Sequence, residues 1–312
     1  MGISLLSFIK HFNSEIKCLD YLVQLKYGLS FKCTKCNSNK IKQLKSRFAT
    51  LYCSECKKQF SVAKDTIFES SKISLLQWFI AAYLMSKDKR GISALQLTRE
   101  LDITYNSAFL LLTKFRNLMQ RREETYKLSG EIDIDEFFIL GSGGKAGRGS
   151  GKAKVLIALS YDYQDSNTYI GDIDDAESFD EFEETITPGE LRIYPAYIKM
   201  KVVENLDAST INTFVTDNIV SGSRIRTDGF RGYNKLLETD NERIIENSDK
   251  EMDNYRKLNL IITNIKAYIN GTYHGVTKNN LQIYLDEFCY RFNRRKMHES
   301  LFDRLLKLAL EK

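Results

Sequence analysis

Four cysteines fall in two pairs, Cys33/Cys36 and Cys53/Cys56, with two residues inside each pair and sixteen between the pairs. Zinc takes four tetrahedral ligands, and a two-residue gap lets one tight turn present two thiolates to one metal. The spacing predicts a structural Zn2+ ribbon rather than four unrelated buried cysteines. Such a site is closed, with no open position for chemistry. Cys18 and Cys289 have no nearby partner. In a chain this long, with an N-terminal run too short and polar for a signal peptide, such usage points to metal binding in a reducing compartment.

Acidic residues form the second group. Asp133 and Asp135 lie two apart in Glu131-Ile132-Asp133-Ile134-Asp135, and Asp228 ends Arg224–Thr227. Carboxylates at strand ends can hold divalent cations for phosphoryl transfer, because Mg2+ prefers hard oxygen ligands and keeps positions open for water and phosphate. Each aspartate alone reads equally as a turn residue.

These residues need elements to position them. The strict alternation of 131–135 marks a strand, with Asp133 and Asp135 on one face. Val155–Leu159 reads as its hairpin partner across a Gly-rich loop. Ile198–Val203 reads as a further strand, Ala208–Ile219 as a helix and Arg224–Thr227 as a short strand. The acidic stretch 172–190 reads as an exposed loop, and the chain after about residue 253 as mainly helical. Upstream, residues 73–86 read as an apolar helix with Trp78, Phe79 and Tyr83 in its core. Residues 92–100 and 104–116 read as two helices around a turn at Leu101-Asp102-Ile103, with Thr104 as N-cap. That is a helix-turn-helix, or an ordinary helical hairpin. In the former, Thr104, Tyr105, Asn106 and Lys114 are the candidate DNA contacts.

Charge is divided unevenly. Of 46 Lys+Arg and 41 Asp+Glu, residues 1–128 hold 22 and 10, leaving 24 and 31 for the remainder. A basic first third and an acidic remainder suit one part that holds a polyanion and another that works on it. Hydrophobic residues at 43% and charged residues at 28% exclude a disordered chain. No run of about 18 apolar residues predicts a membrane span.

Gly130-Glu131-Ile132-Asp133-Ile134-Asp135-Glu136, Thr227-Asp228-Gly229-Phe230-Arg231-Gly232-Tyr233, Gly271-Thr272-Tyr273-His274 and Tyr284-Leu285-Asp286-Glu287-Phe288 through Arg291-Phe292-Asn293-Arg294-Arg295 occur in this order. Together they resemble the DDE-type transposases of bacterial insertion sequences, in particular the group with an N-terminal zinc ribbon related to eukaryotic Merlin elements. The resemblance covers about residues 20–296. It implies an α+β multi-domain chain: a zinc-ribbon segment over 1–70, a helix-turn-helix region over 71–128, and an RNase H-like α/β catalytic domain with a mixed sheet over 129–312. It implies two Mg2+ ions, with Mn2+ as a substitute, held by an acidic triad.

Carried over residue by residue, Asp135 matches the first aspartate and Asp228 the second. Counting back from Gly271-Thr272-Tyr273-His274, the third position falls on Asn259 and the family lysine on Lys266. Seven residues are almost two helical turns, so Asn259 and Lys266 share a face, whereas Asn264 would not. Asn offers a carbonyl oxygen but no charge, so the second metal needs help; Asp133, Glu251 and Asp253 are conceivable helpers. Asn259 reads alternatively as a helix-start residue.

The implied activity is metal-dependent cleavage and transfer of DNA strands at an element's terminal inverted repeats, by a homodimer or larger assembly on DNA, in the bacterial cytoplasm at the nucleoid. The alternative is a catalytically impaired, sequence-specific DNA-binding derivative. Arg294 and Arg295 grip backbone or form a solvated helix end. The Gly-rich stretch 141–152 has no Gly-Lys-Ser/Thr register and leads into a strand, so it is not a nucleotide-binding loop. It reads as a hairpin that touches DNA through Lys145, Arg148 and Lys152.

Overall fold

The computed structural model describes residues 4–44, 47, 49–140, 151–165, 191–238, 242–245, 256–297 and 300–311. In chain order they form helices α1 (Leu5–His11) and α2 (Glu15–Tyr27), then strands β1 (Ile41–Gln43), β2 (Thr50–Cys53) and β3 (Gln59–Ser61). Helices α3 (Leu75–Lys87), α4 (Ala94–Leu101) and α5 (Tyr105–Glu123) follow. Next come β4 (Glu131–Ile139), β5 (Ala153–Asp165), β6 (Leu191–Val203), α6 (Ala208–Asn218) and β7 (Arg224–Thr227). A 3-10 helix (Arg231–Glu238), β8 (Glu242–Ile245), α7 (Arg256–Thr272), α8 (Lys278–Phe292) and α9 (Leu301–Leu310) complete the chain. Contacts divide it into two units, Met1–Thr125 with Ile265–Lys312, and Tyr126–Asn264.

The first unit is helical, with the small antiparallel sheet β1-β2-β3 near its start. Its core gathers Phe8, Phe12, Leu19 and Leu22 of the first two helices, Trp78 and Phe79 of α3, Phe115 of α5, and Phe302, Leu305 and Leu306 of α9. The aromatic rings meet edge-on, as between Phe12 and Phe79 (5.0 Å) and between Trp78 and Phe115 (5.4 Å). Residues 265–312 belong to this unit by their contacts, with Tyr290 of α8 and Phe302, Leu305 and Leu306 of α9 in its core. Helix ends are satisfied locally. Ser74 and Gln77 form a capping box on α3, and the Glu15 carboxylate accepts the N–H groups of Leu75 (2.9 Å) and Leu76 (2.8 Å).

A buried charge pair lies between α5 and α8. Arg116 and Glu287 are both within 1% of complete burial, and Arg116 Nε donates to Glu287 Oε2 at 2.7 Å. The guanidinium also lies 4.1 Å over the Tyr284 ring and 5.2 Å over the Tyr273 ring. Arg291 Nη1 and Tyr273 O–H each reach Glu287 Oε1 at 3.4 Å. Gly91 closes the cluster: its φ is +76° and a Cβ there would meet Tyr273 Oη at 2.0 Å, so only glycine fits.

The second unit is built on a mixed sheet, order β6-β5-β4-β7-β8. Strand β5 is antiparallel to β4 and β6, while β7 runs parallel to β4 and β8. Ile132 and Ile134 of β4, Leu156 and Ala158 of β5 and Ile225 of β7 share one face, covered by Ile211, Phe214 and Val215 of α6. Asp133, Asp135 and Phe137 point to the other face by the two-residue period. Pro195 is tolerated in β6 because that strand is at the sheet edge, next to the irregularity between Leu159 and Tyr161. The expected loop at 172–190 lies outside the described residues.

Candidate functional site

The two cysteine pairs sit on equivalent turns. The N–H of Asn37 donates to the Cys33 carbonyl at 2.8 Å, and that of Lys57 to the Cys53 carbonyl at 2.9 Å. Asn37 and Lys57, each following the second cysteine of a pair, both have positive φ, +56° and +62°. One turn comes before β1 and the other links β2 to β3, so the sheet brings four thiols together. Their sulfurs all lie within 4.8 Å of one another, with Cys33–Cys56 at 3.4 Å and Cys36–Cys53 at 3.6 Å. A tetrahedron of zinc–sulfur bonds of about 2.3 Å has edges of roughly 3.8 Å, so the four thiols could hold zinc. Burial opposes ionisation of Cys33, but N–H donors of Cys36 and Lys35 and the neighbouring thiols bring it down to about 6. The Ser38 N–H favours the Cys36 thiolate, yet burial and the other three sulfurs push that thiol up to about 12. Four thiols this close cannot all ionise without a cation among them.

Asp228 directly follows β7, whereas Asp135, expected at a strand end, lies in the middle of β4, opposite Ile157 of β5, because β4 runs on to Ile139. The parallel ladder closes at Ile134–Thr227, so Asp135 and Asp228 occupy the next positions on adjacent strands, roughly 5 Å apart in backbone. Both are half-buried. Asp228 is fixed by its own turn, with its Oδ1 accepting the Phe230 N–H at 3.0 Å. Asp135 Oδ1 accepts the Glu136 N–H at 2.8 Å. Asp133, on the same face, is buried and engaged: Arg226 Nε donates to it at 2.6 Å and Tyr161 O–H also donates to it. Burial raises the Asp133 carboxyl above its usual range against the pull of these donors. Asp133 therefore locks β4 to β5 and β7 and is no free ligand. Glu251 and Asp253 lie outside the described residues.

Asn259 is exposed on α7, in the same unit as the two aspartates. Its stripe-mate Lys266 is half-buried and belongs to the first unit, since α7 continues across the division. His274 is exposed. Two residues without an assigned role emerge next to the aspartates. Tyr233, fully buried, donates its O–H to Glu136 Oε2 at 2.9 Å. Burial first, then the charges of Glu136, Asp135 and Asp228, hold its phenol well above the usual range. Nothing in the spacing says that a tyrosine five residues beyond Asp228 reaches back to β4.

Helices α4 and α5 meet through Leu97, Leu101, Ala108, Leu111 and Leu112, with Asp102 between them in the left-handed conformation at φ 52°. Thr104 caps α5 by accepting the Ser107 N–H at 3.3 Å. Tyr105 and Asn106 project outward at the start of α5. Other candidate contacts are placed differently. The Lys114 ammonium donates to the Ile67 carbonyl at 2.8 Å and lies 5.7 Å over the Trp78 ring, so it is spent inside the unit. Arg294 is buried, donates to Glu123 Oε1 at 2.5 Å and stacks 3.9 Å over Tyr290. A buried Glu123 needs this cation, which is why Arg294 neither grips a backbone nor ends in solvent. Arg295 folds onto its own helix end, donating to the Phe292 carbonyl at 2.9 Å and lying 3.8 Å over that ring. Lys152 is half-buried, while Lys145 and Arg148 lie outside the described residues.

The ISXO2-like transposase domain matches residues 127–293, more than half of the chain and all of the strands β4 to β8. An uncharacterized protein in transposable element ISH50 of Halobacterium salinarum is 26% identical over 235 residues, covering 74% of this chain and 73% of that protein. The chain belongs to the ISXO2-like transposase family, DDE-type transposases of insertion sequences.

Proposed function

We propose that the protein binds the terminal inverted repeats of its insertion sequence and catalyses divalent-metal-dependent cleavage and transfer of DNA strands. The observation that carries this reading is that Asp135 and Asp228 each directly follow the last pair of the parallel β4–β7 ladder, Ile134–Thr227, in a sheet that the family match covers. The mixed sheet, with α6 on one face, fits the RNase H-like domain expected for such an enzyme. Two carboxylates on one sheet face give the hard oxygen donors that Mg2+ or Mn2+ requires. When bound, such ions supply Lewis acidity and charge neutralisation for displacement at phosphorus.

The residues then divide the work. Asp135 and Asp228 present carboxylate oxygens, and the Phe230 N–H orients Asp228. Asn259 offers an uncharged amide oxygen. Lys266 neutralises a phosphate. In the first step a water oxygen bonds to phosphorus and the bond to the 3′ oxygen breaks, releasing a 3′-hydroxyl. In the second step that hydroxyl bonds to a target phosphorus and displaces the target's own 3′ oxygen. The thiol centre acts as a structural zinc ribbon and α4–α5 as a helix-turn-helix, with Thr104, Tyr105 and Asn106 facing the groove. The +12 charge of residues 1–128 favours the DNA backbone. Two element ends must meet, so the working form is a dimer or larger assembly on DNA, at the nucleoid of a bacterial cytoplasm. No helix among the described residues is long and apolar enough to cross a membrane.

The uncharged Asn259 favours one second reading, a DNA-binding derivative that no longer cuts. Mg2+-dependent nicking of duplex carrying the terminal repeats separates the two. The enzyme reading expects nicking that Asp135→Ala and Asp228→Ala abolish; tight binding with no nicking supports the derivative.

A further inference from the structure

The ladder between β4 and β7 stops one residue short of Asp135 and Asp228, so backbone pairing does not fix the separation of these two carboxylates. Something past the ladder must. Glu136 follows Asp135 and points to the opposite sheet face, where its Oε2 accepts the Tyr233 O–H at 2.9 Å. Tyr233 is tied back to Asp228 through a short, stiff turn. The Phe230 N–H donates to Asp228 Oδ1 at 3.0 Å, and the Tyr233 N–H donates to the Phe230 carbonyl at 3.1 Å. The two rings meet edge-on at 5.9 Å. Gly232 admits no side chain, because a Cβ would lie 2.5 Å from Phe230 Cε1, 2.8 Å from Ile211 Cδ1 and 2.9 Å from the Leu206 carbonyl oxygen. On the strand side, the Glu136 N–H donates to Asp135 Oδ1 at 2.8 Å. A closed path of bonds therefore runs from one aspartate to the other.

We propose that Tyr233 and Glu136 are positioning residues: their hydrogen bond clamps the stretch of β4 carrying Asp135 to the turn carrying Asp228 and sets the carboxylate spacing that a divalent cation meets. The inference rests on the reading that these aspartates hold the cation. Glu136 acts by accepting a hydrogen bond from Tyr233, not by offering its charge to the metal, since it lies on the face opposite Asp135.

The test is Mn2+ titration of the zinc-loaded full chain, followed by electron paramagnetic resonance without DNA, with thermal melting measured in parallel. Tyr233→Phe and Glu136→Ala should each weaken Mn2+ binding about tenfold while folding is kept. Glu136→Gln retains an acceptor oxygen and should stay within about threefold of the unaltered protein. The double variant Tyr233→Phe/Glu136→Ala should be no weaker than either single one. If Glu136→Gln loses as much as Glu136→Ala, the carboxylate charge matters and the clamp is refuted. If Asp135→Asn and Asp228→Asn lose Mn2+ while Tyr233→Phe binds normally, the positioning role alone fails. Normal Mn2+ binding by both aspartate variants overturns the metal-site reading beneath it.

Discussion

Replacing Glu287 by Gln removes the counter-charge of a guanidinium that water cannot reach. Arg116 is 1% exposed and Glu287 fully buried, and they meet at 2.7 Å. Were this pair on the surface, its loss would cost at most about 1 kcal/mol. Were it a neutral hydrogen bond, the cost would be about 0.5–1.5 kcal/mol. Leaving a buried charge uncompensated costs about 3–5 kcal/mol. Two cations share the damage, because Arg291 also leans on Glu287, so the upper part of that range is expected. For a unit of this size the melting midpoint should fall by roughly 10 °C or more. The single tryptophan, Trp78, reports on this unit alone: it is buried in the same core, 5.4 Å from Phe115 of α5. Urea unfolding followed by its fluorescence gives the free energy directly. The paired substitution Arg116→Met/Glu287→Leu should cost less than Glu287→Gln alone, because it removes both charges together. A loss below about 1 kcal/mol for Glu287→Gln, or a double variant that costs the sum of its singles, would refute the argument.

Three further outcomes follow from the same structure. Purified protein should carry one zinc per chain by atomic absorption. It should lose the metal to a strong chelator, and at acid pH as protons compete with zinc for the four thiolates. Tyr105→Ala and Asn106→Ala should each cost about 1–3 kcal/mol in specific binding to the terminal repeats, measured by fluorescence anisotropy. Lys114→Ala should lower the melting midpoint and leave affinity unchanged. Asp207 caps α6 through the Thr210 N–H, which holds its carboxyl below the usual range. That stabilisation is present above the ordinary aspartate range and is lost as pH falls through the lowered value. Asp207→Asn should therefore flatten the difference between urea midpoints at neutral and at acid pH.

The central strands were legible because their patterns are local. Glu131–Asp135 alternates strictly, and β4 covers it. Val155–Leu159 is its antiparallel partner, and Arg224–Thr227 forms β7. The shortest pieces left no pattern: β1 and β3 have three residues each, below the length at which a period of two can be recognised. The packing of α8 and α9 against α3 and α5 was illegible for another reason. It joins residues more than 150 apart, and an amphipathic helix does not say which partner it meets. Charge misled for the same cause. Lys114, Arg294 and Arg295 look like phosphate contacts in a basic sequence, yet Ile67, Glu123 and Phe292 claim them in the fold. Strand ends pointed to Asp228, which does follow β7, but not to the true place of Asp135, since β4 runs on to Ile139 beyond the alternating stretch. The burial of Asp133 by Arg226 and Tyr161, and the reach of Tyr233 to Glu136, depend on neighbouring strands and could not be singled out.

The central claim is that Asp135 and Asp228 form the heart of a DNA-cutting site in which Asn259 replaces a carboxylate. It is tested most directly by incubating labelled terminal-repeat duplex with the protein and Mn2+, beside Asp135→Asn, Asp228→Asn and Asn259→Ala. The account predicts nicks at the element end with the unaltered protein, none with either aspartate variant, and strongly reduced nicking with Asn259→Ala. Unchanged nicking by both aspartate variants would contradict it.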